Sequence, residues 1–118
     1  MTREYIFLID RSGSMQGMPI KLAVRALKVF LHSLPLGCFV NVYSFGSEFE
    51  SMFEQSYEYS QDTLEAASAI VTTFDADMGG TELYAPLISI VSKPLRERAS
   101  QNLERHIFLL TDGAISNT

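Results

Sequence analysis

The chain has 118 residues, of which 47% are hydrophobic and 19% charged; this is the length and usage of one globular domain rather than of a disordered chain. A net charge of −5 and a sequence pI near 4.9 argue against a nucleic-acid or anionic-membrane surface, which takes a basic patch, and are compatible with a cation site or a basic partner. The single cysteine, Cys38, excludes an intrachain disulfide and favours a reducing, intracellular setting. No apolar run is long enough to span a bilayer and no signal peptide is visible, so a single domain over residues 1–118 is expected.

The first element is the apolar, β-prone run Tyr5-Ile6-Phe7-Leu8-Ile9, which suits a strand buried on both faces of a parallel sheet. It ends at Asp10, and a Ser/Gly loop follows through Gly17. Ile20, Ala23, Val24, Leu27, Phe30, Leu31 and Leu34 then recur at steps of three and four, predicting an amphipathic helix that opens near Pro19 and closes at Pro35 and Gly37. Residues 38–45 read as a second strand, and Ser51-Met52-Phe53 as a short third strand at an edge. Leu64, Ala67, Val71 and Phe74 mark a second helix over 61–74, and a third follows over about 82–91, with Pro94 ending it. Residues 106–111 form the last strand, before Asp112-Gly113. Strands alternating with helices predict an α/β fold: a Rossmann-like, mostly parallel sheet with helices on both faces and one short antiparallel edge strand. In such sheets, sites form beyond the carboxyl ends of the strands, where both Asp10 and Asp112 stand.

Asp10-Arg11-Ser12-Gly13-Ser14 places oxygen ligands at i, i+2 and i+4. Alternate side chains of an extended segment point the same way, so the three can converge. Carboxylate and hydroxyl are hard donors, suited to Mg²⁺, Mn²⁺ or Ca²⁺ and not to a thiolate zinc site. Composition alone generates about 0.06 such motifs in a chain of this make-up, so further residues are needed to single it out. Gly79-Gly80-Thr81 supplies two glycines and a hydroxyl at a predicted helix start, and Leu109-Leu110-Thr111-Asp112-Gly113 a second carboxylate after a strand.

Together these segments resemble the von Willebrand factor A domain family with its metal-ion-dependent adhesion site, an Asp-x-Ser-x-Ser loop with a separate Thr and a separate Asp. The pattern maps onto Asp10, Ser12, Ser14, Thr81 and Asp112. The text around Phe7–Met15 and Asp77–Glu82 is most similar to the family's intracellular branch, in which the domain follows a vault-protein/inter-α-trypsin-type module. The resemblance implies that the serines, and Thr81 in some states, bind Mg²⁺ directly (Mn²⁺ or Ca²⁺ in its place). It also implies that the aspartates act largely through water and that a partner protein's Asp or Glu fills the open position. A full family domain continues past 109–113, so the chain reads as C-terminally truncated. Residues 106–111 are then expected to be an exposed edge strand that pairs two copies into a homodimer, with 114–118 poorly ordered.

Plainer roles stand beside these. Asp10, Ser12 and Ser14 could form a helix-start turn, Thr81 an N-cap and Asp112 a turn before Gly113. Asp75 and Asp77 read as solvated loop carboxylates, and Cys38 as a small buried hydrophobe. Asp10 is expected at the surface end of its strand, where Asp10→Ala would remove a metal without harming the fold. An aspartate-based phosphatase wants a second acid two residues after its nucleophile, where Ser12 stands. There is no P-loop, no Gly-x-Gly-x-x-Gly and no nucleophile elbow, so a non-enzymatic, metal-dependent protein-binding module is expected. A structural module with a vestigial site is the alternative, and a Mg²⁺-dependent aspartyl phosphatase the remote one.

Overall fold

The computed structural model describes residues 2–92, 103–111 and 114–117. Its strands are β1 (Thr2–Asp10), β2 (Phe39–Phe45), β3 (Phe49–Ser51), β4 (Tyr57–Glu58), β5 (Leu103–Thr111) and β6 (Ala114–Asn117). Its helices are α1 (Met18–Ser33), α2 (Gln61–Thr72) and α3 (Tyr84–Ser92), and a single 3₁₀ turn covers Gly13–Met15. The strands form one sheet in the order β3-β2-β1-β5-β6, with β4 also on β2. β1 runs parallel to both its neighbours, pairing Ile9 with Ser44 on one side and with Leu110 on the other. The α/β class is as the sequence predicts. Among the described residues three short strands are antiparallel, not one, and all lie outside the parallel trio.

Burial follows the period of two. Phe7 and Ile9 point into the core built with Ile20, Ala23, Leu27 and Leu31 of α1 and Ala67 and Val71 of α2. Ile6 and Leu8 point the other way, into a second core with Tyr43, Phe45, Ile107 and Ile90 of α3. The strand is apolar from Tyr5 to Ile9 because both faces are covered there. α1 ends where Leu34 turns extended, at φ −71° and ψ 144°, the conformation a following Pro35 imposes.

Two expectations about the sheet are corrected. The third strand covers Phe49–Ser51, not 51–53, because the Asn41 side chain takes over the pairing there: its Nδ2 donates to the Phe53 carbonyl at 3.0 Å and its Oδ1 accepts from Phe53 N–H at 3.1 Å. More consequentially, β5 is not the edge. Ala114–Asn117 pairs antiparallel with it, Thr111 opposite Ala114 and Leu110 opposite Ile115. The sequence between the paired residues is Asp112-Gly113, a dipeptide with a strong hairpin tendency. The expected exposed strand 106–111, the disorder of 114–117 and the homodimer through that edge therefore lose their premise.

A buried ion pair joins β1 to β5 at the end away from Asp10. Glu4, 3% exposed, accepts from Arg105 Nε at 2.6 Å and from Ser56 Oγ at 2.5 Å, and Arg105 Nη1 donates to the Ile90 carbonyl at 2.7 Å. Two polar residues inside the sheet are thus satisfied by each other, as burial of charge demands.

Cys38, just before β2, is buried as expected. Burial pushes its thiol up to about 11. Burial, and then the neighbouring Cys38, push Tyr59 up as well. An acid whose native pKa is raised holds its proton longer in the folded state than in the unfolded one. Its contribution is complete below the unfolded value and is lost as pH rises to the native one. We predict that the melting temperature falls between pH ~9 and ~11, more gently in Cys38→Ala, which removes the thiol and with it part of what raises Tyr59. A pH series of melting curves on both proteins measures it, and native Cys38 resists alkylation at neutral pH.

Candidate metal centre

β1 delivers Asp10 to the carboxyl edge of the sheet, beside the ends of β2 and β5. Asp10 is 5% exposed and both its carboxylate oxygens are held. Oδ1 accepts the Ser12 N–H at 2.9 Å, and Oδ2 accepts the Thr111 hydroxyl at 3.0 Å. The first bond folds the loop back over the strand end; the second ties it to β5. Asp10 is therefore a structural residue too, and the expectation that Asp10→Ala spares the fold is corrected: truncation would orphan buried donors.

The Ser12 and Ser14 hydroxyl oxygens lie 3.0 Å apart. The 3₁₀ turn brings them together, with Met15 N–H donating to the Ser12 carbonyl at 2.9 Å. Among the described residues no three His, Cys, Asp or Glu side chains are grouped where they could share an ion. Any cation here would be taken by hydroxyls, with a buried carboxylate behind them.

Thr81 is exposed, and among the described residues no hydrogen bond links its hydroxyl to Asp10, Ser12 or Ser14. Its loop is nonetheless stitched to theirs. Gly13 N–H donates to the Gly79 carbonyl at 2.7 Å and Met78 N–H to the Arg11 carbonyl at 3.0 Å; Ser47 N–H donates to the Met78 carbonyl at 2.7 Å and Glu82 N–H to the Gly46 carbonyl at 2.8 Å. Two glycines are needed for this closeness. A Cβ at Gly46 would overlap the Met78 carbonyl oxygen, and Gly79 has φ +81°, which disfavours a side chain. Thr81 is no N-cap: α3 begins at Tyr84, whose N–H is capped by Glu82 Oε1 at 2.9 Å. Asp112 lies outside the described residues; Thr111 before it is the residue bonded to Asp10.

The sequence reading missed Arg11, the unspecified second position of the motif. Its side chain, 9% exposed, is the hub of the site. Nη2 donates to Asp77 Oδ1 at 2.8 Å, Nε to the Asp75 carbonyl at 3.0 Å, and Nη1 to Ser44 Oγ at 3.3 Å, with Glu50 Oε1 at 3.5 Å. The guanidinium also lies 4.3 Å from the centre of the Phe74 ring, a cation–π contact. Asp77 is thus not merely solvated. The available signal was an Arg directly after an apolar strand, with two acids in the loop before the paired glycines.

The carboxylates facing Arg11 are exposed, Asp77 at 61% and Glu50 at 67%, so they regain water when it is removed. Arg11→Ala is expected to cost about 1–3 kcal/mol through lost hydrogen bonds and packing. Arg11→Lys, lacking the planar fork, is expected to recover little of it. Urea unfolding measures the first effect. Faster amide exchange at Met78 and Gly13 in the alanine variant reports the loosened loop.

Comparison with known proteins places this geometry. Residues 3–118 match the family model for the von Willebrand factor type A domain. A von Willebrand factor A domain-containing protein of Dictyostelium discoideum is 46% identical over 113 residues, 96% of this chain and 12% of that protein. Human von Willebrand factor A domain-containing protein 5A is 40% identical over 124 residues, 98% of this chain and 15% of that protein. The chain thus spans about an eighth of the length of these relatives. Among solved structures, a von Willebrand factor type A protein from Catenulispora acidiphila superposes with a TM-score of 0.62 at 27% identity, over 68% of this chain and 20% of that one.

Proposed function

The chain belongs to the von Willebrand factor type A domain family, whose members commonly mediate protein–protein interaction, and on that premise we propose that it is a metal-dependent docking module without enzymatic activity. In this reading Asp10, Ser12, Ser14, Thr81 and Asp112 hold Mg²⁺, with Mn²⁺ or Ca²⁺ as substitutes, and a partner protein adds an Asp or Glu side chain.

The spacing of the two serine hydroxyls carries the reading. Neighbouring ligands of an octahedral ion with bonds of about 2.1 Å stand about 3.0 Å apart, and Ser12 Oγ and Ser14 Oγ are 3.0 Å apart. That spacing, at which the two hydroxyls hydrogen-bond each other in the absence of an ion, supports reading them as adjacent ligands of a small hard cation. Asp10 has both oxygens engaged by Ser12 and Thr111, which supports a role through water rather than by direct ligation. Hydroxyls neutralise little of a cation's charge, so a bound ion would keep its attraction for an incoming carboxylate. What the chain itself does is orient: Asp10 holds the serine loop, and Arg11 and Gly79 hold the Thr81 loop against it.

Melting in EDTA, then with Mg²⁺, Mn²⁺ or Ca²⁺, tests this. A site that takes up an ion is expected to stabilise the fold by about 2.7 kcal/mol at a hundred times its dissociation constant. The double substitution Ser12→Ala, Ser14→Ala should abolish the shift while leaving the EDTA melting temperature nearly unchanged, since the two hydroxyls face each other. An equal shift in that variant would overturn the assignment. No shift with any ion in the unsubstituted chain would leave a structural module with a vestigial site. Hydrolysis of an aryl phosphate with Mg²⁺ would point to the phosphatase instead.

A further inference from the structure

Lys21, Arg25 and Lys28 stand at i, i+4 and i+7 on α1 and so share one helical stripe. They border a groove of about 490 Å³ between α1 and the end of α2, within the size range of about 300–1,000 Å³ of ligand clefts. Ile20, Val24 and Phe74 give it an apolar wall, and Gly17 and Asp75 line it where α1 begins. None of the three cations is ion-paired among the described residues. One acid lines the groove, Asp75, whose Oδ1 accepts the Ala76 N–H at 2.8 Å. In a chain of net charge −5, three unpaired cations beside an apolar wall are a local inversion of sign.

From this we infer that the groove binds an extended segment of another protein in which acidic and apolar residues alternate. Lys21 and Arg25 are about 6.0 Å apart along the helix axis, and alternate side chains of an extended peptide repeat at about 6.6 Å. Acids at every second position therefore meet the stripe, while the intervening apolar residues turn to Ile20, Val24 and Phe74. From Gly17 to Lys28 the helix rises about 16 Å, the length of about five extended residues. A nucleic acid or anionic lipid surface fits less well, because the remaining negative charge of the chain repels an extended polyanion or a negatively charged bilayer. The groove starts three residues beyond Ser14, so one partner could engage both places. The inference goes beyond the metal reading and does not require an ion.

A fluorescent seven-residue peptide of alternating Glu and Phe, its Gln counterpart, inorganic phosphate, phosphatidylserine vesicles and a single-stranded oligonucleotide are titrated against the chain, in Mg²⁺ and in EDTA. The Glu peptide is expected to bind in both, to weaken with salt, and to lose at least about tenfold in affinity in Lys21→Glu, Arg25→Glu. Arg25→Gln should lose less, and unchanged melting temperatures show that both variants fold. Equal binding of the Glu and Gln peptides, indifference to the substitutions, or complete loss of peptide binding in EDTA would overturn the inference. So would phosphate, vesicles or the oligonucleotide binding more tightly than the peptide with the same sensitivity to Arg25. Stripe-dependent peptide binding in a chain that shows no metal-induced stabilisation would refute the metal reading and uphold the groove.

Discussion

The register between β1 and β5 is the constraint on which the rest of the molecule depends. It is fixed by a buried carboxylate at each end: Glu4 on Arg105 at one, Asp10 on Thr111 at the other. A slip of one residue would turn Ile6 and Leu8 to the wrong face and take Arg105 from Glu4 and Thr111 from Asp10. Apolar packing alone would penalise the slip; the polar pairs make it discontinuous, since buried charge has no halfway arrangement. Because the register is fixed, the end of β5 falls beside Asp10.

The site is then assembled from loops that have little structure of their own. Backbone hydrogen bonds from Gly13, Met78, Ser47 and Glu82 join three loops, and Arg11 reaches from the first of them into the 74–77 segment. The same arginine closes the loops and lies over Phe74, which lines the α1 groove. The serine loop and the basic groove are therefore neighbours through one side chain as well as along the chain.

Much of this was legible in the sequence. The unbroken apolar run Ile6–Ile9 encodes a strand covered on both faces, and the three-and-four spacing on α1 encodes which face is buried, so the sheet and the first helix could be read. The Asp10, Ser12, Ser14 cluster was legible because alternate side chains converge in any extended segment. What could not be read was long-range or used side chains in place of backbone. Asn41 stands in for a strand through its amide, which no propensity encodes. Arg11 satisfies partners more than thirty residues away. Glu4, a buried charge beside an apolar run, only makes sense once Arg105 is beside it. The β5–β6 pairing was legible in Asp112-Gly113, but the expectation of an exposed edge took precedence over that turn signal.

The two carboxylate contacts that set the β1–β5 register each bridge 101 positions in the chain. The central strand therefore leaves a ribosome about a hundred residues ahead of its second neighbour. At synthesis rates of about 5–20 residues per second, the delay between Asp10 and Thr111 is roughly 5–20 s. During it β1 can pair with β2 and pack on α1, while its other flank stays open. Contacts this distant slow folding, because the loop entropy must be lost before they form. The nascent chain must hold a half-built sheet with a carboxylate at each end still lacking its partner, and its completion waits on the arrival of Arg105 and Thr111.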